Sequence, residues 1–248
     1  MTLFPEFFES PFNTSIIRRA RKNSLVDINT INLRDFTDDP HRTVDDYPYG
    51  GGCGMVMMPG PIKLALDSAA SGLNVKETKR VSIYLTPQGR LLKQSIVDSF
   101  LEYDELVIFC GHYEDIDKRA RDLFDMELSV GDYVLSGGEF GALLLVDAIT
   151  RKIPGALGNP DSAVSDSFSE DARLFDCPHY TRPPVWEGKR VPEVLMSGDH
   201  KRIETYRRAR AIINTMKVRP DLLKPSDLDK KDYKILKEYF RWYHCYEE

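Results

Sequence analysis

Cysteine is scarce in this chain of 248 residues: four are present, Cys53, Cys110, Cys177 and Cys245, and no two form a Cys-x-x-Cys pair. Thiols scattered in this way argue against a disulfide framework and against a tetrahedral zinc site. Cys177-Pro178-His179 offers two ligand types, but nothing nearby completes a set, so no metal is expected. Long apolar runs are also missing. No stretch approaches the ~20 residues that a membrane-spanning helix needs. The first residues, Met1-Thr2-Leu3-Phe4-Pro5-Glu6, lack the basic and then apolar pattern of a secretory leader. A cytoplasmic protein with no membrane partner is therefore expected. There is no Gly-x-x-x-x-Gly-Lys-Ser/Thr and no Gly-x-Gly-x-x-Gly after a first strand, which removes the P-loop and the ordinary dinucleotide fold. Strong charge of one sign is absent too: the net of −5 does not suit a generic nucleic-acid coat.

What is present is 42% apolar and 29% charged residues, in a chain long enough for one large or two modest domains. The charge is unevenly spread. Over residues 198–248 there are 13 Lys and Arg against 9 Asp and Glu, a net of +4, which leaves −9 for the remainder. An acidic body with a basic tail suits a protein in which one module meets a polyanion.

Three short apolar runs each break off into a loop of glycine, proline and small polar residues. Residues 81–85 precede Thr86-Pro87-Gln88-Gly89, residues 106–110 precede Gly111-His112-Tyr113-Glu114, and residues 133–135 precede Ser136-Gly137-Gly138-Glu139. Such runs predict strands buried on both faces. The loops that follow them are where open α/β sheets hold ligands, and glycine there lets main-chain groups come close to a small molecule. Helical spacing is found over 11–23, 61–70, 91–101 and 138–150, and a half-exposed alternation over 26–33. The 138–150 segment is apolar nearly all the way round, which predicts burial in the core or, preferably, at a subunit interface. Residues 158–171 have linker composition and are expected to order only on substrate binding. A basic helix is predicted over 199–217, and Ser226 is expected to cap a last one. The organisation expected is an α/β domain over 1–157, a flexible linker over 158–173 and a small all-helical domain over 174–248.

Gly50-Gly51-Gly52-Cys53-Gly54 is too dense in glycine to open a helix as a phosphate loop. It reads either as a mobile tip or as a backbone surface laid against a flat substrate. Its surroundings, Asp45-Asp46-x-Pro48-Tyr49 before it and Met55 after it, join a longer series. Tyr84-Leu85-Thr86-Pro87-Gln88-Gly89, Cys110-Gly111-x-Tyr113-Glu114, Ser129-Val130-Gly131-Asp132-Tyr133-Val134-Leu135-Ser136-Gly137-Gly138-Glu139, Asp166-Ser167-Phe168 and Asp176-Cys177-Pro178-His179-Tyr180-Thr181-Arg182-Pro183 follow in order. The series resembles bacterial tRNA (guanine-N1)-methyltransferases, of the SPOUT superfamily, over nearly the whole chain. It departs from that pattern at Cys53, where Pro or Ala is usual, and at Asp115, where Gly is common.

The resemblance implies a SPOUT-type α/β fold, a parallel sheet with a deep trefoil knot in which S-adenosylmethionine sits bent, and a homodimer with the active site between subunits. It implies methyl transfer to N1 of the guanosine immediately 3′ of the anticodon in tRNA. Asp166 matches the general base and Arg151 the residue that steadies charge on O6; by itself Asp166 reads first as a turn-forming Asp, and Arg151 equally as a helix C-terminal cation. The cofactor positions matched are Tyr84, Leu85, Thr86 and Pro87; Gly111, Tyr113 and Glu114; and Val130, Gly131, Asp132, Tyr133, Val134, Leu135, Gly137 and Gly138. Asp46, Gly52, His179, Arg182, Lys201, Arg207 and Arg208 are the positions expected to face the tRNA anticodon stem-loop. The alternatives are a SPOUT enzyme methylating a ribose 2′-hydroxyl and a non-catalytic RNA-binding protein that retains the fold.

Overall fold

A computed structural model describes residues 1–71, 78–158, 166–168 and 173–243. The chain divides into two compact units, Met1–Pro160 and Asp161–Glu248. Of the expected linker, residues 159–165 and 169–172 lie outside the described residues.

The first unit begins with a 3-10 turn at Pro5–Phe8 and two helices, α1 (Glu9–Phe12) and α2 (Ser15–Lys22), where the apolar spacing predicts one. The break has a local cause. Asn13 Nδ2 donates to the Glu9 carbonyl at 2.7 Å and Thr14 Oγ1 to the Ser10 carbonyl at 2.8 Å, and such side chains compete with the helical ladder. There follow β1 (Asp45–Asp46), β2 (Val56–Met57), α3 (Pro59–Ser71), β3 (Arg80–Leu91), α4 (Gln94–Ser99), β4 (Glu105–Cys110), β5 (Asp115–Ile116), α5 (Lys118–Arg121), β6 (Met126–Ser129) and α6 (Glu139–Thr150).

The central sheet has the order β4-β3-β6 and is wholly parallel; a smaller one runs β1-β2-β5. Alternation along β3 sends Val81, Ile83 and Leu85 into a core with Phe8, Phe100, Ala142 and Leu145. Tyr84 points the other way, into a second core with Met57, Ile62, Phe109 and Ala120. Both faces of the sheet are thus covered, which is why its strands read as continuous apolar runs.

Two expectations fail here. The third strand is Met126–Ser129, and residues 133–135 form an exposed loop. The strand escapes notice because Glu127 interrupts its apolar pattern; Arg121 donates to that carboxylate and makes the charge tolerable within the sheet. The alternating segment 26–33 forms no strand: its one bridge joins Asn32 to Thr2. The predicted 91–101 helix also starts late, at Gln94, because Leu91 still belongs to β3.

The second unit holds β7 (Val185–Trp186), β8 (Lys189–Arg190), α7 (Glu193–Met196), α8 (His200–Val218) and α9 (Lys230–Tyr243). It is therefore not all-helical: β7 and β8 form an antiparallel ribbon. Asp199 caps α8 by accepting from the Arg202 amide at 3.1 Å. Ser226 lies in a 3-10 turn, and Asp229 instead accepts from the Asp232 amide of α9 at 2.7 Å. The two long helices close over Val194, Tyr206, Ala209 and Tyr239.

Candidate functional site

Because β3, β4 and β6 are parallel, the loops after them emerge at one edge, and there they converge on a cavity of about 200 Å³. Its walls are residues 84–88, 111–115, 128–131 and 133–138, with Gly141 of α6. Tyr84, Leu85, Thr86, Pro87, Gly111, Tyr113, Glu114, Val130, Gly131, Tyr133, Val134, Leu135, Gly137 and Gly138 are all brought together in this way. Asp132 is not, since it turns to solvent within the same loop. His112 and Ser136, inside the loops expected to hold the cofactor, line it too, while the sequence reading missed Gln88, Asp115, Leu128, Ser129 and Gly141 as lining residues. Their adjacency to the quoted motifs was the available signal.

The cavity exists because backbones pass very close to one another. Leu85 and Arg90 are both registered opposite Leu128, so residues 86–89 swing out of the ladder between two pairings with the same residue. At the end of that excursion a Cβ on Gly89 would stand 2.4 Å from the Leu128 amide nitrogen. On the other wall a Cβ on Gly138 would lie 2.7 Å from Cys110 Cα. The Gly138 amide donates to the Gly111 carbonyl at 3.0 Å. Only glycine permits either approach.

Two polar clusters stiffen the walls. Glu139, buried at the start of α6, accepts from Thr2 Oγ1 at 2.6 Å and lies 2.8 Å from His112 Nε2. Burial pushes the Glu139 carboxyl up, but the hydrogen bonds from His112 and Thr2 outweigh it and leave the pKa below its ordinary value. The second cluster centres on Arg121, whose side chain is 9% exposed. Its Nη1 donates to Gln88 Oε1 at 2.8 Å and lies 3.5 Å from Asp115 Oδ2; its Nε donates to Glu127 Oε1 at 2.8 Å. Tyr84 donates its hydroxyl to Asp115 Oδ1 at 2.7 Å. Burial first, and the Asp115 carboxylate second, raise the Tyr84 pKa well above that of a free phenol.

Arg121 thus fastens three wall segments from behind. Asp115 and Glu127 each keep 29% of their side chains exposed and stay partly hydrated without the cation, so Arg121→Met should lower the unfolding free energy by about 1–3 kcal/mol. Denaturant titration measures this loss. Arg121→Lys should recover only part of it, because an ammonium cannot reproduce the planar fork.

Outside the cavity, Arg151 follows the last turn of α6 and its amide donates to the Asp147 carbonyl at 3.0 Å. Asp166 belongs to the second unit and is exposed. Asp46 and Gly52 are exposed in the first unit, on β1 and in the glycine-rich loop. In the second unit His179, Arg182 and Arg207 share the lining of a groove of about 440 Å³. Lys201 is exposed on α8. Arg208 has a partner that the sequence did not reveal: its Nε donates to Asp232 Oδ1 at 2.9 Å and ties α8 to α9. One ligand atom from each of Asp176, Cys177 and His179 lies within 4.8 Å of the others, so Asp176 is the neighbour that the sequence reading overlooked. Its Oδ2 is 2.8 Å from His179 Nε2.

A parallel sheet covered on both faces, with a cavity walled by main-chain groups at its carboxyl edge, defines an α/β ligand-binding protein. Comparison with known proteins narrows the class. The family model described as tRNA (Guanine-1)-methyltransferase TrmD matches residues 1–225. Similar curated proteins bear the name tRNA (guanine-N(1)-)-methyltransferase. One from Dictyoglomus turgidum is 46% identical over 238 residues, covering 96% of this chain and 94% of the relative. One from Clostridium botulinum strain Hall is 47% identical over 239 residues, 96% of each. One from Caldanaerobacter subterraneus is 45% identical over 238 residues, 96% of each. The chain belongs to the tRNA (guanine-N1)-methyltransferase family. Among the described residues, no helix is long and apolar enough to cross a membrane.

Proposed function

We propose that this chain transfers a methyl group from S-adenosylmethionine to N1 of the guanosine immediately 3′ of the tRNA anticodon, as a cytoplasmic homodimer. The observation that carries the reading is the cavity at the carboxyl edge of the sheet, walled by three glycine-bearing loops. Its donor set fits that cofactor. Peptide N–H and C=O groups suit the polar edge of an adenine, Leu85, Leu128, Val130 and Leu135 suit its faces, and Glu114 and Asp115 suit a cationic sulfonium end. When bound, S-adenosylmethionine supplies an electrophilic methyl group.

Guanine N1 carries a proton at neutral pH and becomes a nucleophile as that proton leaves. Asp166 accepts the proton, N1 takes up the methyl group, and charge growing on O6 meets the planar donors of Arg151. The placement of Arg151 supports the homodimer. From Gly138 at the cavity to Arg151 the helix climbs roughly 20 Å at ~1.5 Å per residue, so one chain's Arg151 is remote from its own cavity. Phe140, Leu144, Asp147 and Arg151 recur at helical spacing, and Phe140 and Leu144 are 56% and 45% exposed. Antiparallel pairing of this stripe with its copy sets Arg151 beside Phe140 of the partner subunit, at the cavity end of that helix.

The trefoil knot belongs to the same proposal. Its support is the family resemblance, which implies it. In the second unit, the groove with His179, Arg182 and Arg207 is a surface for phosphates of the anticodon stem.

The test is incubation with unmodified tRNA and S-adenosylmethionine labelled in its methyl group, followed by digestion to nucleosides. Label in 1-methylguanosine, at one residue per tRNA, is the expected result. Label on a ribose 2′-oxygen, or no transfer, overturns the reading.

A further inference from the structure

Every residue from 181 to 190 is exposed. Within this stretch Val185 is paired with Arg190 and Trp186 with Lys189, and the Val191 amide closes the ribbon on the Pro184 carbonyl at 2.9 Å. The turn is Glu187-Gly188, both with left-handed φ of 50° and 78°. That two-residue geometry matches strand twist and makes a stiff tip. Both faces of the ribbon are uncovered, although a two-stranded hairpin alone is marginal in water. Trp186, 59% exposed, and Lys189 face each other across the strands and share one side; Val185 and Arg190 share the other. Arg182, Lys189 and Arg190 against Glu187 give the stretch a net charge of +2. At its base lies the groove that holds His179, Tyr180, Arg182, Leu195, Met196 and Arg207.

An aromatic ring beside cations, continuous with a cationic and partly apolar groove, is the chemistry that holds single-stranded RNA: rings stack on bases while ammonium and guanidinium groups follow the phosphates. We infer that the β7-β8 ribbon is an RNA-grasping arm in which Trp186 stacks on an unpaired base of the substrate tRNA while Lys189 and Arg190 contact its backbone. The inference rests on the reading of tRNA as substrate and adds a contact that neither the motifs nor the cavity require. The positive charge of the ribbon favours RNA over a second copy of this chain, which would bring like charges together.

The experiment measures binding of full-length protein to an unmodified tRNA transcript and to its isolated anticodon stem-loop, with Trp186→Ala, Trp186→Phe and the Lys189→Gln/Arg190→Gln pair. Loss of one stacked base should weaken both RNAs by about five- to a hundredfold in Trp186→Ala. Trp186→Phe should recover most of this, and S-adenosylmethionine affinity should not move. The paired charge change should reduce the salt slope of binding by about two. In a Trp242→Phe background, RNA should quench the fluorescence of Trp186. Wild-type RNA affinity in Trp186→Ala, or a change in subunit association with RNA affinity intact, overturns the arm. Failure of the wild-type chain to methylate guanosine would instead overturn the proposed function, and the binding data would still decide on the arm.

Discussion

Replacing Asp166 by alanine should stop methyl transfer while leaving S-adenosylmethionine bound with unchanged affinity. The carboxylate does one thing in the proposed chemistry: it takes the N1 proton as nitrogen attacks. A placed general base is worth about 10²–10⁴-fold, and guanine N1 holds its proton firmly at neutral pH, so the loss should lie at the upper end. The cavity belongs to the first unit and Asp166 to the second, which is why cofactor affinity should be untouched. Single-turnover transfer with saturating tRNA reads the chemical step, and calorimetric titration reads the cofactor. Asp166→Asn should be as inactive as Asp166→Ala, since an amide keeps the shape and loses the basicity. Loss of cofactor binding in either variant, or a transfer rate within tenfold of wild type, would contradict the assigned role.

A Leu144→Glu chain should be a folded monomer without methyltransferase activity. Leu144 is exposed on the chain alone, midway along the stripe from Phe140 to Arg151, so a carboxylate there is solvated in the monomer. In the pairing proposed, each copy would bury a charge without a partner. That costs several kcal/mol per ion, and at ~1.4 kcal/mol per decade about 4 kcal/mol raises the dissociation constant about 10³-fold. Sedimentation velocity at micromolar concentration should show the monomer, with a thermal transition close to wild type. Activity should vanish with the dimer, because the monomer's own Arg151 sits at the wrong end of α6. An inactive dimer would move the defect from assembly to the site, and an active monomer would remove the shared active site altogether.

The strands and helices that line the site were largely legible because they are locally determined. Residues 81–85 and 106–110 are apolar on both faces, and a parallel strand covered on both sides has that pattern wherever it occurs. The basic helix expected over 199–217 is found at His200–Val218 for the same reason, since helical spacing is local, although the cap expected at Ser226 falls to Asp229. What failed had distant causes. Glu127 hides β6 until Arg121, six residues away, is seen to hold its carboxylate. The tie from Arg208 to Asp232 of α9 was likewise not legible, although it leaves the expectation that Arg208 faces RNA as it stood. Ribbon β7-β8 is too short to produce a periodic signal, so the second unit reads as helices alone.

Apolar runs and glycine-bearing loops determined by themselves that this is an α/β chain, because they are properties of adjacent residues, while the order of the motifs carried a resemblance that comparison with known proteins turned into family membership. Tertiary structure alone decided which groups share a wall: Gly89 against Leu128, Gly138 against Cys110, and Arg121 reaching Gln88, Asp115 and Glu127 at once. Most of those relations, Gly89 with Leu128, Gly138 with Cys110 and Arg121 with Gln88, join segments far apart in the chain, set by the parallel register of three strands. No local pattern encodes a distance that only packing creates.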